Sequence, residues 1–167
     1  RFWRAEGKVD FDGEHYQLNG AKTGPAPCHP IPLWIGAYGP RMLGLTGRSG
    51  DGWIPSLSYL PPEKVSDRQA RIDEAAEEAG RSPGEIRRGY NLMGHLAAPG
   101  VTTKPKAEAD GVLTGDVSSW IERIVGYHLE LRMDTFIFWP VAGQEREQVQ
   151  AFAQEVVPAI KEETAKS

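Results

Sequence analysis

The stretch Ile31-Pro32-Leu33-Trp34-Ile35-Gly36-Ala37-Tyr38-Gly39-Pro40-Arg41-Met42-Leu43 runs an apolar strand into a glycine-bracketed turn and then into a helix opened by proline. Gly36 and Gly39 are expected to bring the backbone close to a ligand in conformations that a Cβ forbids. Pro40 suits the first helical position, where no amide hydrogen is needed. The unpaired N–H groups and the positive end of that helix would then face an anion such as a phosphate. The same pattern also turns a plain βα corner with no ligand, so the surroundings decide.

Downstream the pattern repeats as strand and helix, the signature of a parallel sheet covered by helices. The first unit pairs the strand at Leu33-Trp34-Ile35 with a helix from about Pro40 to Arg48, closed by Ser49-Gly50. The second begins at Asp51-Gly52-Trp53-Ile54-Pro55. Its helix runs from Pro61-Pro62 to Ala79, with Gly80 as cap and Val65, Ile72, Ala76 and Ala79 as the buried stripe. The third strand is Tyr90 to Leu96, followed by a long, polar loop from Ala97 to Gly111 that is expected to be mobile. A helix then opens on Asp116 as N-cap and carries Val117, Trp120, Ile121, Ile124, Val125 and Leu131 on one face. The fourth strand, Thr135-Phe136-Ile137-Phe138-Trp139, is apolar throughout and is expected to be buried on both sides. The last helix, from about Gln144 to Thr164, is expected to bury Val149, Phe152, Val156 and Ile160, with Pro158 bending its end.

Upstream, Arg1-Phe2-Trp3-Arg4 reads as the tail of a helix, and the absence of an initiating methionine suggests a fragment. Residues 8–18 alternate around Asp12-Gly13 as a hairpin with an Asp-Gly turn, and a proline- and glycine-rich loop from Lys22 to Pro30 follows. The reading is a single partial domain over 1–167: hairpin and loop in 1–30, four βα units in 31–167. With right-handed crossovers the units amount to the C-terminal half of a (β/α)8 TIM barrel, whose usual whole is about 250 residues. An isolated half exposes sheet edges and the apolar barrel face. It should therefore close against a second copy, as a homodimer or larger assembly, against a missing N-terminal half, or against a rearranged helix.

Composition narrows the function classes. A chain of 167 residues that is 40% hydrophobic can bury a core, and its net charge of −4 with scattered lysines and arginines argues against a nucleic-acid partner. No apolar run of about 18 residues and no leader pattern is present, so no membrane role is expected and the cytoplasm is the default. Cys28 is the single cysteine and reads as a bystander, while His15, His29 and His128 are dispersed with no metal-ligand spacing.

Barrel geometry places chemistry at the C-terminal ends of the strands. Asp51 precedes its strand and reads as a turn residue rather than a catalytic acid. Pro55 and Ser56 end theirs, so Ser56 is a candidate pocket residue or an exposed loop serine. Asn91, Met93 and His95 alternate onto one face; if that face looks into the barrel, His95 is the candidate proton relay, against a hydrogen-bonded structural histidine. Trp139 would stack on an aromatic ligand or plug the barrel mouth.

The Pro30–Arg41 run and Gly50-Asp51-Gly52-Trp53-Ile54-Pro55, in order with Gly13-Glu14-His15-Tyr16 and Met133-Asp134-Thr135-Phe136, resemble the C-terminal half of the luciferase-like monooxygenases. That group includes deazaflavin-dependent reductases. The resemblance implies a flavin-dependent oxidoreductase, using FMN with oxygen or a deazaflavin that passes a hydride, acting on a small organic substrate. It places the flavin phosphate on the backbone amides of Gly36, Ala37, Tyr38 and Gly39, to which Arg41 would add charge unless it points to solvent. It also implies that this half alone is inactive, since the first strands of the barrel hold the flavin ring. The alternative is a half-barrel without catalysis, dimerising as a scaffold or small-ligand-binding module.

Overall fold

The computed structural model describes residues 7–22, 24–25, 27–104 and 111–166. The expected helix tail at residues 1–4 and the centre of the 97–111 loop, residues 105–110, lie outside the described residues. The chain divides into two compact units, residues 1–32 and 33–167.

In the first unit β1 (Lys8–Asp12) pairs antiparallel with β2 (Gln17–Lys22), with Phe11 opposite Leu18 and Asp12 opposite Gln17. The turn is therefore the stretch 13–16, closed by the Gly13 N–H on the Tyr16 carbonyl at 3.0 Å, and not the two-residue Asp12-Gly13 turn expected. Asp12 lies at the end of the ladder instead, where its carboxylate accepts from Gln17 Nε2 at 2.9 Å.

The second unit alternates strand and helix: β3 (Trp34–Ile35), α1 (Pro40–Ser49), β4 (Gly52–Trp53), α2 (Val65–Glu78), β5 (Arg87–Ala97), β6 (Leu113–Asp116), α3 (Val117–Leu131), β7 (Thr135–Pro140), α4 (Glu145–Ala151) and α5 (Val157–Thr164). Every pairing among its strands is parallel. This is the expected half-barrel of βα units. Strand β6 was not expected; its Leu113-Thr114-Gly115-Asp116 carries one apolar side chain and shows no period.

β5 organises the sheet. Asn91 bridges Ser56 and Ile137, and Gly94 bridges Leu113 and Pro140. Because β7 is one continuous strand, β4 and β6 must share the opposite edge of β5, with β6 taking over where β4 ends. Period-two alternation then splits β5 into two faces. Arg88, Tyr90, Leu92 and Leu96 are buried with Trp53 and Trp120. Asn91 and Met93 face the other way with Ile137 and Trp139, their register partners. Trp34 belongs to this inner face too: a Cβ on Gly52 would lie 2.4 Å, and one on Gly89 2.8 Å, from its indole. The two glycines vacate the space that the ring fills.

Helix boundaries follow local chemistry. Asp116 caps α3 by accepting from the Ser119 N–H at 2.9 Å. Gly80, at φ +71°, ends the α2 region, with the Arg81 N–H on the Ala76 carbonyl. Val65, Ile72 and Ala76 are buried as expected, but Ala79 sits at the C-cap, where the chain turns outward, and is exposed.

Two further packing expectations fail. Ile137 and Trp139 are 43% and 58% exposed, so the strand is not buried on both sides. Val149 is 48% exposed, whereas Gln148, Ala151 and Val156 are buried. Residues Phe152–Val156 form a π turn. Pro158 has no N–H for the carbonyl four residues back, and the wider turn shifts the buried stripe of the last helices.

Candidate functional site

The turn 36–39 leaves the C-terminal end of β3 and enters α1. Gly39 is the N-cap, extended at φ −87° and ψ 155°, and its carbonyl accepts the N–H groups of Met42 and Leu43. Neither Gly36 nor Gly39 has positive φ, so the expected conformational need for glycine is absent. What glycine supplies is room: a Cβ on Gly39 would meet nothing within 4 Å, and one on Gly36 only the Ile54 carbonyl at 3.5 Å. Among the described residues no acceptor pairs with the amides of Gly36, Tyr38 or Gly39. Both glycines are exposed. Ala37 is buried, and its carbonyl accepts the Trp53 indole N–H at 2.9 Å, which fastens the turn to β4. Arg41 is exposed and has no ion pair among the described residues.

Tyr38 ties the turn to the next strand end. Its hydroxyl accepts the Ser56 N–H at 2.9 Å, and its ring meets Tyr59 edge-on at 5.8 Å. Ser56 in turn touches β5, where Asn91 Nδ2 donates to its Oγ at 3.3 Å. The structure thus links Tyr38, Ser56 and Asn91 in one chain leading from the turn to the inner face.

His95 lies further along that face, 3% exposed, with its carbonyl accepting the Trp120 indole at 3.3 Å. Its Nε2 is buried without a hydrogen-bond partner, as is Asn91 Oδ1. Trp139 stands open on the same face, beside Met93 in register. Asp51 accepts the Leu33 N–H at 2.7 Å at the opposite strand end, where it fastens β3 to β4.

Sequence reasoning missed two glutamines that shape the strand ends. Gln148 is fully buried and bonds to Leu96, Val141 and Gly143. Gln144 Oε1 accepts the N–H groups of Thr102 and Thr103 and holds the segment after β5. Polar residues in an amphipathic helix read as solvated, and only tertiary contact reveals these two. Among the described residues no group of three His, Cys, Asp or Glu is placed to hold a metal, and no helix is long and apolar enough to cross a membrane.

The family model for luciferase-like monooxygenases matches residues 1–101. The coenzyme F420-dependent glucose-6-phosphate dehydrogenase of Mycolicibacterium fortuitum is 42% identical over 82 residues, which are 48% of this chain and 24% of that protein. The 5,10-methylenetetrahydromethanopterin reductase of Archaeoglobus fulgidus is 42% identical over 78 residues, 46% of this chain and 23% of that protein. Among solved structures, a coenzyme F420-dependent secondary alcohol dehydrogenase superposes with a TM-score of 0.76 at 18% identity, covering 95% of this chain and 58% of that one. The tetrahydromethanopterin reductase of Methanopyrus kandleri gives 0.72 at 19% identity, covering 92% and 58%. These matches cover about a quarter of each curated relative's length and well under two thirds of each solved chain. The half-barrel, its glycine turn and these matches lead to one conclusion: this chain belongs to the luciferase-like monooxygenase family.

Proposed function

We propose that this chain is the phosphate-binding half of a flavin-dependent oxidoreductase, and that it is catalytically silent until its inner face is covered. The observation that carries the reading is the turn at the head of α1, whose Gly36, Tyr38 and Gly39 amides lack protein acceptors and whose Gly39 opens onto free space. Such donors at a helix start suit a phosphate. Both FMN and a deazaflavin fit the turn; the names of the curated relatives favour the deazaflavin. When bound, the flavin supplies the redox chemistry, and the protein supplies position and exclusion of water.

Each residue then has a task. The amides of Gly36, Ala37, Tyr38 and Gly39 hold the phosphate, the Ala37 carbonyl fastens the turn to β4 and the Tyr38 hydroxyl fastens it to Ser56, and Arg41 adds positive charge one residue into the helix. Ser56 and Trp139 line the pocket, with Trp139 offering a ring face to a small organic substrate. His95 holds a proton at Nε2 for relay across the inner face. The working compartment under this reading is the cytoplasm.

Gly39→Asp tests the turn, because it sets a carboxylate where the phosphate lies. Affinity for FMN and for a deazaflavin coenzyme, each measured by fluorescence, is expected to fall at least about tenfold for whichever of the two binds. Unchanged affinity overturns the phosphate assignment.

The exposed Ile137 and Trp139 favour a further reading, in which the inner face closes on a second copy or on an N-terminal half-barrel. If a second copy covers it, light scattering gives a dimer mass and Trp139→Glu returns the monomer. A colourless dimer that binds no flavin would favour the scaffold alternative.

A further inference from the structure

We infer that Asn19 is a deamidation site in the N-terminal hairpin and that the Asp10 carboxylate sets its rate. The site lies in the first unit and does not depend on the phosphate reading of the 36–39 turn.

Two neighbours in sequence supply the reacting groups. Asn19 is followed by Gly20, whose backbone nitrogen has no side chain beside it to block an approach. The Gly20 nitrogen attacks the side-chain carbonyl carbon of Asn19, the carboxamide C–N bond breaks, and ammonia leaves with the proton of the Gly20 amide. Water then opens the five-membered imide at either carbonyl and yields aspartate or isoaspartate. Water is the only co-reactant, and no atom changes its oxidation state.

The fold supplies the control. Between the pairs Val9–Ala21 and Phe11–Leu18, β1 contributes Asp10 alone while β2 contributes both Asn19 and Gly20, so the ladder carries a bulge there. Gly20 stands at φ +60°, and its N–H donates to Asp10 Oδ1 at 2.6 Å. A charge-assisted bond of this length keeps the proton on the nitrogen and the nitrogen against β1. Ring closure asks for the opposite. The nitrogen must give up that proton, and the backbone at Asn19 must turn out of its extended conformation to bring nitrogen and side-chain carbon together. Asn19 is itself exposed, and no hydrogen bond among the described residues holds its carboxamide. Neither strand buries a residue fully, and a two-stranded ladder of that kind opens readily, so the reactive conformation is reached by local opening of the Asp10 clasp.

The product loosens the hairpin irreversibly. Aspartate at position 19 sets a second carboxylate across from Asp10, and isoaspartate adds a methylene to the backbone, which breaks the register of β2.

Incubating the full chain at mildly alkaline pH, with peptide mass spectrometry and enzymatic methylation of isoaspartate as readouts, tests both parts. Conversion at Asn19 is expected in wild type and at least about tenfold faster in Asp10→Ala, as for loss of one charge-assisted hydrogen bond. Asp10→Asn keeps a carbonyl oxygen for the Gly20 N–H and should fall between the two. Gln17→Ala removes the 2.9 Å bond to Asp12 at the other end of the ladder, leaves the clasp alone, and should convert as wild type does. Exchange of the Gly13 N–H, which closes the turn on Tyr16, should be unchanged in Asp10→Ala. No conversion at Asn19 in either wild type or Asp10→Ala overturns the site. Equal rates in those two, an equal acceleration by Gln17→Ala, or loss of Gly13 protection in Asp10→Ala overturns the control by Asp10, since the rate then reports the whole hairpin and not the clasp.

Discussion

Asp73→Ala is expected to destabilise the chain by about 3–5 kcal/mol in urea unfolding, because it strands a buried charge. Arg88 stands at the start of β5 with its side chain only 6% exposed and donates to Asp73 Oδ1 on α2 at 2.5 Å. Burial presses the guanidinium below its ordinary pKa, and the Asp73 charge opposes that pressure. Arg88 Nη1 already lacks a partner, and the other nearby carboxylate, Asp134, is bonded to the Arg88 backbone N–H and paired with Arg87, so no side-chain bond replaces the lost one. Arg132 also pairs with Asp73, at 2.7 Å, but its side chain is 59% exposed. Arg132→Ala should therefore cost no more than about 1 kcal/mol. The double variant Asp73→Ala with Arg88→Met removes the buried guanidinium together with its half-buried partner and should recover most of the loss. An Asp73→Ala loss below about 1 kcal/mol would show that water reaches Arg88 and that the pair does not fasten α2 to the sheet.

What the amino-acid order revealed was whatever a few neighbouring residues decide between them. The run into Gly36, the Asp116 cap and the Gly80 stop are each local chemistry, and each is found where expected. β6 escaped because pairing with residues 94–97 makes it a strand, not its own composition. Val149 was misplaced because a π turn near Pro158 moves the helical stripe, and no periodicity assumed at 3.6 anticipates that. At the candidate site the position of the turn was legible, but the role of its glycines was not: their backbone is ordinary, and the open space beside Gly39 appears only in three dimensions. The contact between Ser56 and Asn91 joins residues 35 apart and depends on how β4 and β5 align. The exposure of Trp139 depends likewise on what covers a sheet face, which no single strand encodes.

Gln148→Leu is expected to cost about 3 kcal/mol and to open the strand ends that frame the site. The ladder between β5 and β7 runs from Gly89 and Thr135 to Gly94 and Pro140, with the Val141 N–H on the Gly94 carbonyl as its last bond. Beyond that point the Gln148 carboxamide stands in for a strand: Oε1 accepts the Leu96 N–H at 2.9 Å, while Nε2 donates to the Val141 carbonyl at 2.9 Å and the Gly143 carbonyl at 2.6 Å. Leucine fills much the same volume but leaves the Leu96 amide and the Val141 carbonyl without partners and the Gly143 carbonyl with only the Thr103 hydroxyl at 3.3 Å, so the loss measures polar satisfaction rather than a cavity. With some 2–4 °C per kcal/mol at this chain length, the melting temperature should fall by roughly 10 °C. Hydrogen exchange at the Leu96 amide should accelerate while the Tyr90 amide, in the middle of the sheet, stays protected. Val149→Ser, one residue away on the exposed side, should change stability by no more than about 0.5 kcal/mol. If Gln148→Leu costs under about 1 kcal/mol and Leu96 remains protected, water takes over the three bonds and the strand ends are held by their own ladder instead.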